Sequence, residues 1–204
     1  MSGIFITFEG IDKCGKSTQA GRLAQKLVGL GRKVLETHEP GGTELGRHLR
    51  KLALQRGEEP VSDMTEVFLF AADRAQHVSR VICPALESGT DVLCDRFSDS
   101  SLAYQGYGRG GDVEAMVLLQ RQATQGLVPD LTVLVDIDVE TARSRGVSSD
   151  RIEDEGAAFY DRVRQGFLSL SEQDPGRFLV LDGTRPEKDL ESQVFETVQG
   201  LLKP

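Results

Sequence analysis

Apolar residues in this chain fall into five short runs, separated by longer stretches in which they recur every three or four positions. The runs are Ile4-Phe5-Ile6-Thr7-Phe8, Lys33-Val34-Leu35-Glu36-Thr37, Asp91-Val92-Leu93-Cys94, Leu131-Thr132-Val133-Leu134-Val135 and Phe178-Leu179-Val180-Leu181. Several are apolar throughout, the pattern of strands covered on both faces. The stretches between them predict helices over 19–29, 45–55, 63–88 with a break before Pro84, 114–125, 139–145, 157–172 and 187–202. Strand alternating with helix predicts the α/β class, a parallel sheet between two layers of helices. No internal repeat or low-complexity segment interrupts the series. Ligands in such folds bind beyond the carboxyl ends of the strands. Chemistry is therefore expected in the residues that follow each run.

The first run leads into Gly10-Ile11-Asp12-Lys13-Cys14-Gly15-Lys16-Ser17-Thr18. Glycine, four residues, then Gly-Lys-Ser is the phosphate-binding loop pattern. Its glycines let backbone amides face phosphate oxygens, Lys16 reaches the β- and γ-phosphates, and Ser17 is placed to ligate Mg²⁺. The helix that starts near Lys16 adds its positive end. This predicts nucleoside triphosphate binding but names no reaction. The Asn-Lys-x-Asp guanine signature is absent, which disfavours a switch GTPase, and large ATPases need a longer chain.

The third run ends in Asp95-Arg96-Phe97. A carboxylate at a strand end beside the loop is placed to hold Mg²⁺ through water, and an arginine beside it to clamp a phosphate with two parallel bonds. After the second run come His38-Glu39-Pro40-Gly41-Gly42-Thr43, which taken alone read as an ordinary strand-to-helix loop. Phe70 and Arg74 are four apart and share a helix face, so they suit a stacked base and its acceptor edge. Taken alone they suit better a core ring and an arginine paired with an acid. Ser100 to Gly108 is polar, aromatic and glycine-rich, either a pocket wall or a mobile loop. Arg143, Arg145, Gly146, Val147, Ser148, Ser149 and Arg151 form a basic, flexible stretch fit to close over phosphates.

Lys and Arg number 24 against 32 Asp and Glu, a net charge of −8. That argues against a nucleic-acid polymer as partner but is compatible with a local basic pocket. The 204 residues suit one domain, 1–204, and the three cysteines provide no disulfide framework. Cys14 sits in the phosphate loop, where a small residue that fits is the plain reading and a reactive thiol the sharper one. No apolar run approaches the ~18 residues of a membrane span, so a cytoplasmic protein is expected.

The motifs together resemble the thymidylate kinase family, a nucleoside monophosphate kinase branch of phosphate-loop proteins. The resemblance runs through Phe8-Glu9-Gly10-Ile11-Asp12 with Gly15-Lys16-Ser17, Glu39-Pro40-Gly41-Gly42-Thr43, Phe70 with Asp73-Arg74, Asp95-Arg96 with Tyr104-Gln105-Gly106, and Arg145-Gly146 to Arg151-Ile152-Glu153. It implies a five-stranded parallel sheet in a three-layer α/β/α fold of the P-loop NTP hydrolase type. It implies the reaction ATP + dTMP → ADP + dTDP with Mg²⁺, and a homodimer. By resemblance, Phe70 stacks on thymine, Arg74 bonds its carbonyl edge, Tyr104 sits near the deoxyribose, and Pro40, Ser101 and Gln105 border the acceptor. Asp12 and Arg96 work around the acceptor phosphate, Ser17 and Asp95 hold Mg²⁺, and a lid at about 143–154 brings Arg145 and Arg151 over the transferred group. Residues 10–18 hold ATP.

Two positions depart from the family pattern. His38 stands where bacterial-type members usually have arginine. Lys13 stands where one kind of member has a catalytic arginine and the other a small residue with a basic lid. The lid is favoured as the source of charge, because an arginine forks two oxygens where lysine offers a point charge. The rival readings are a kinase for another nucleoside monophosphate or a deoxynucleoside, and a nucleotide-dependent switch without transferase activity.

Overall fold

The computed structural model describes residues 3–147 and 150–202. Ser148 and Ser149 of the predicted lid lie outside the described residues. The five runs form strands β1 (Phe5–Glu9), β2 (Val34–His38), β3 (Asp91–Asp95), β4 (Leu131–Asp136) and β5 (Phe178–Asp182). They make one sheet in the order β2-β3-β1-β4-β5, every pair parallel. β1 lies at the centre and is buried along its whole length, which explains a run with no polar alternation. Thr7 and Thr132 bear the two hydroxyls this interior holds between β1 and β4, and they bond each other at 2.9 Å.

The helices are α1 (Lys16–Gly29), α2 (Glu44–Leu54), α3 (Asp63–His77), α4 (Cys83–Glu87), α5 (Ser98–Ser101), α6 (Val113–Ala123), α7 (Val139–Ser144), α8 (Ala157–Gln173) and α9 (Glu187–Leu201). Four start at side-chain caps legible in the sequence. Thr43, Ser62, Asp112 and Asp138 each accept a bond from the amide three residues on.

The helix predicted over 63–88 differs in its interior. It does not break before Pro84. A π-helical turn, Val78–Ile82, joins α3 to α4, and Pro84 sits at the start of α4. A proline lacks the amide that an unbroken ladder needs there, and a widened turn, with Cys83 donating back to the Val78 carbonyl, carries the path past it.

The stretch Ser100–Gly108 is not a loop. It is helical throughout, α5 followed by a π-helical segment Leu102–Gly108. Gly108 has a packing cause. A Cβ on Gly108 would lie 2.7 Å from Val163 and 2.8 Å from the Phe159 ring, so glycine here admits α8 rather than bending the chain.

Because β1 is flanked by β3 on one side and β4 on the other, the loops after β1, β2 and β3 converge at one end of the sheet. They open a cleft of about 740 Å³.

Candidate active site

The phosphate loop leaves β1 at Gly10, whose φ of 134° and whose approach to the Val135 carbonyl, 2.5 Å from a built Cβ, exclude any side chain. Gly15 (φ 109°) caps α1, and α1 has no acidic residue of its own in its first turn, so its positive end faces the loop. Lys16 is buried, and its Nζ donates to the Ile11 carbonyl at 2.9 Å, which folds the lysine back over the loop. Ser17 follows on the exposed side and donates its hydroxyl to Asp95 at the end of β3. Hard oxygens from a hydroxyl and a carboxylate, beside the phosphate loop, are the donor set that suits Mg²⁺ together with nucleotide phosphates. Cys14 is buried against Lys16, 3.7 Å from Nζ. Thr18 is exposed on the first turn of α1.

Within the same loop a cluster is built on Asp12. Arg96 Nη2 donates to Asp12 Oδ1 at 2.6 Å, and the hydroxyls of Tyr104 and Tyr160 donate to Oδ2 at 2.8 and 3.1 Å. Burial works to raise the Asp12 carboxyl, but Arg96, Lys16 and these hydrogen bonds outweigh it and hold the group well below the usual carboxylate range. Asp12 is thus a fixed anion that aims Arg96. Arg96 itself has φ 71°, unusual for a side-chain-bearing residue. Its amide donates to Phe8 at 2.9 Å, and its Nη1 donates to the Gly10 carbonyl and the Ser100 hydroxyl, both at 3.1 Å. These bonds sustain the strained backbone, which places the guanidinium at the cleft.

Beneath Arg96 lies Glu9, fully buried. It accepts from the amides of Phe97 and Ser100 at 2.8 and 3.3 Å and from the Ser100 hydroxyl at 2.6 Å. Burial, with Asp99 the next cause, raises its carboxyl to about 7. Glu9 thereby organises the Asp95–Ser100 turn from behind.

Arg74 has the acid partner of one reading and also a place on the cleft. It is paired with a buried acid, its Nε donating to Glu39 at 2.7 Å, and it lines the cleft with Phe70. Nη1 donates to Ser101 at 2.9 Å and to Gln120, and Nη2 to the Phe97 carbonyl at 2.8 Å. An arginine has five N–H donors, so one remains on Nη2 beyond these four bonds. Glu39 also accepts from, or shares a proton with, His77 Nδ1 at 2.9 Å, and Asp73 accepts from the Gly41 amide at 3.0 Å. Burial, then Glu39, raises the Asp73 carboxyl to about 6. Pro40 follows a cis peptide bond and lines the same cleft, as do Ser101, Tyr104 and Gln105. His38 lines the cleft as well, its Nδ1 3.0 Å from the Pro40 carbonyl, and Arg50 donates to that carbonyl at 2.9 Å.

The lid arginines stand elsewhere than expected. Arg145 donates to the backbone carbonyls of Lys13, Cys14 and Gly183 at 3.3, 3.2 and 3.0 Å, so it grips the outside of the phosphate loop. Carbonyls that the loop turns outward, as its amides turn inward, are what draws it there. Arg151 donates from Nε to the Ala53 carbonyl at 2.6 Å and pairs with Glu66 at 2.7 Å, outside the cleft lining. Glu153 of the lid also meets the loop, 2.9 Å from Lys13 Nζ. Sequence reasoning missed Glu66, Gln120 and Tyr160. Only Glu66 had a local signal, its place one helical turn before Phe70.

Comparison with known proteins agrees with this geometry. The family model for thymidylate kinase matches residues 8–194. A thymidylate kinase of Pelotomaculum thermopropionicum is 47% identical over 99% of this chain and 95% of the relative. One of Deinococcus radiodurans is 47% identical over 96% of each. The crystal structure of thymidylate kinase from Ehrlichia chaffeensis superposes with a TM-score of 0.80 at 33% identity, covering 98% of this chain and 99% of that one. With a phosphate loop at the end of a central β1, and with matches of this extent, the chain belongs to the thymidylate kinase family.

Proposed function

We propose a division of labour within the cleft for the family's reaction, the ATP-dependent phosphorylation of dTMP to dTDP on the way to dTTP. The observation that carries it is that Lys16 of the donor site and Arg96, Arg74 and Phe70 of the acceptor wall line one continuous cleft. Transfer between two anions needs them in line and their charge stabilised as it shifts.

Residues 10–18 hold ATP: the loop amides and the α1 N-terminus face its phosphates, and Lys16 neutralises the transferring group. Ser17 and Asp95 would hold Mg²⁺, which on binding neutralises charge on the donor phosphates. Arg96, aimed by Asp12, takes the dTMP phosphate against its repulsion from ATP. Phe70 stacks on thymine, and the remaining Nη2 hydrogen of Arg74 goes to a thymine carbonyl. Pro40, Ser101, Tyr104 and Gln105 close the sugar and base pocket. A base is not required, since the acceptor oxygen is already anionic. Closing of the lid, at about 143–154, takes Arg151 from Glu66 to the phosphates and excludes water. Arg145 keeps the loop in shape for ATP.

The chain works as one domain and as a homodimer in the cytoplasm. Support for the dimer is an exposed apolar face on two helices in contact, Met64 (56% exposed) and Phe68 (56%) on α3 with Val117 (45%) and Leu118 (65%) on α6. Its cysteines are unpaired among the described residues.

The test is ADP release from Mg·ATP with dTMP, dUMP, UMP, CMP, GMP, AMP or thymidine as acceptor. Stimulation by dTMP with recovery of dTDP is expected. Stimulation by a different acceptor alone would break the Phe70, Arg74 and Tyr104 assignment.

A further inference from the structure

Glu66 is 1% exposed on α3 and meets three side chains from two parts of the chain, Gln105 and Arg109 of one helical segment and Arg151 of the lid. Its Oε1 accepts from Gln105 at 2.8 Å and from Arg109 Nε at 3.3 Å. Its Oε2 accepts from Arg109 Nη2 at 3.2 Å and lies 2.7 Å from Arg151 Nη2. Gln105 lines the acceptor side of the cleft, and Arg151 belongs to the lid, between Asp150 and Ile152, which both line the cleft.

We propose that Glu66 is a positioning residue that retains Arg151 away from the phosphates until both nucleotides are bound. The inference rests on the reading of Arg151 as a lid charge.

Three observations carry it. First, Arg151 is one residue from the cleft on either side yet its side chain faces Glu66, so the path between the two positions is short. Second, Glu66 does not depend on Arg151. Arg109 stays on the same carboxylate, and its aromatic neighbour Phe159, 5.1 Å from the guanidinium carbon, and its partner Glu155 fix it there. A buried carboxylate that lost its only counter-charge would oppose the motion strongly, and one that keeps an arginine does not. Third, Glu155 closes the end of the lid and is tied to Arg109, so the lid has a fixed base while Arg151 moves.

A retained arginine lowers the population of the closed state, and the apparent affinity for nucleotide falls by the same factor. Retention also keeps the closed, charged site from forming over ATP with water as the acceptor.

The experiment compares wild type, Glu66→Gln, Glu66→Asp, Arg151→Ala and the double variant Glu66→Gln/Arg151→Ala. Three quantities are measured on each: binding of Mg·ATP by titration, ATP hydrolysis without acceptor, and dTMP phosphorylation. Loss of one charge-assisted contact corresponds to about tenfold. Glu66→Gln is expected to bind ATP several-fold to about tenfold more tightly and to hydrolyse it faster without dTMP by a similar factor. Glu66→Asp, which keeps the charge and Arg109 but is shorter, is expected to lie between. Adding Arg151→Ala should cancel both gains. ATP affinity and hydrolysis unchanged or lowered in Glu66→Gln, or gains that persist without Arg151, overturn the proposal. Should Glu66→Gln not fold, Glu66→Asp decides by the same readings. If Arg151→Ala leaves dTMP phosphorylation unchanged, the lid reading itself has failed. If Arg151→Ala lowers phosphorylation while both Glu66 variants match wild type, only the retention has failed.

Discussion

Arg96 and Asp12 lie 84 positions apart in the chain and meet at 2.6 Å, Nη2 to Oδ1, at the mouth of the phosphate loop. The pair joins the donor side of the cleft to the acceptor side. Asp12 belongs to the loop proposed to take ATP, and Arg96 to the strand end proposed to take the second phosphate.

Arg96→Lys retains a charge but loses the planar fork that bonds Asp12, Gly10 and Ser100 together. Turnover with dTMP is expected to fall by about a hundredfold, the order seen when one aimed donor is removed from a transition state. Steady-state kinetics at saturating ATP and dTMP would check this. A variant within about threefold of wild type would remove Arg96 from the chemistry.

Glu9 makes stability depend on pH. Its folded carboxyl, raised to about 7 by burial and then Asp99, binds a proton that the unfolded chain, near 4.5, has released. Between those values the native state holds more protons. The stability this group contributes is therefore full below about 4.5 and lost as pH rises through about 7. Glu9→Gln has no such titration. The melting temperature of Glu9→Gln minus that of wild type is expected to climb from about pH 5 to pH 8. A flat difference across that range would contradict the assignment.

Ser17 and Asp95 meet through the serine hydroxyl, and neither is part of the Arg96 cluster's bond to Asp12. Ser17→Ala and Asp95→Asn are expected to raise the Mg²⁺ concentration for half-maximal activity by about tenfold or more. Saturating Mg²⁺ should restore part of the turnover. Titration of activity with Mg²⁺ at fixed ATP measures it. An unshifted midpoint in both variants would place the ion elsewhere.

The exposed faces of α3 and α6, two helices in contact, carry Phe68 and Leu118. Phe68→Glu is expected to shift the protein from dimer to monomer in light scattering coupled to size-exclusion chromatography. A wild type that elutes as a monomer at micromolar concentration would dispose of this face as a subunit contact.

Most of the fold was legible because its signals are local. Each strand is a short contiguous run, several of them apolar throughout, and each side-chain cap is a residue three positions before the amide it accepts from. The phosphate loop is legible for the same reason: all its chemistry lies between Gly10 and Thr18. The stretch Ser100–Gly108 was not, because Gly108 answers to the ring of Phe159, far along the chain. The path through Pro84 was not, because a π-turn is a response of the ladder to a missing amide rather than a pattern of side chains.

By itself, the sequence determined that this is a parallel α/β protein with a phosphate-loop motif at the end of its first strand. It determined too which side chains were candidates around that site. Tertiary structure alone decided where their charges go. Asp12 is held as an anion by Arg96 and Lys16, and Arg74 is aimed by Glu39 from another loop. Arg145 is drawn to backbone carbonyls and Arg151 to a buried glutamate, although both belong to one basic stretch. An arginine in a sequence is a free charge. Its role is set by which oxygens the fold brings within about 3 Å of it, and those come from residues tens of positions away.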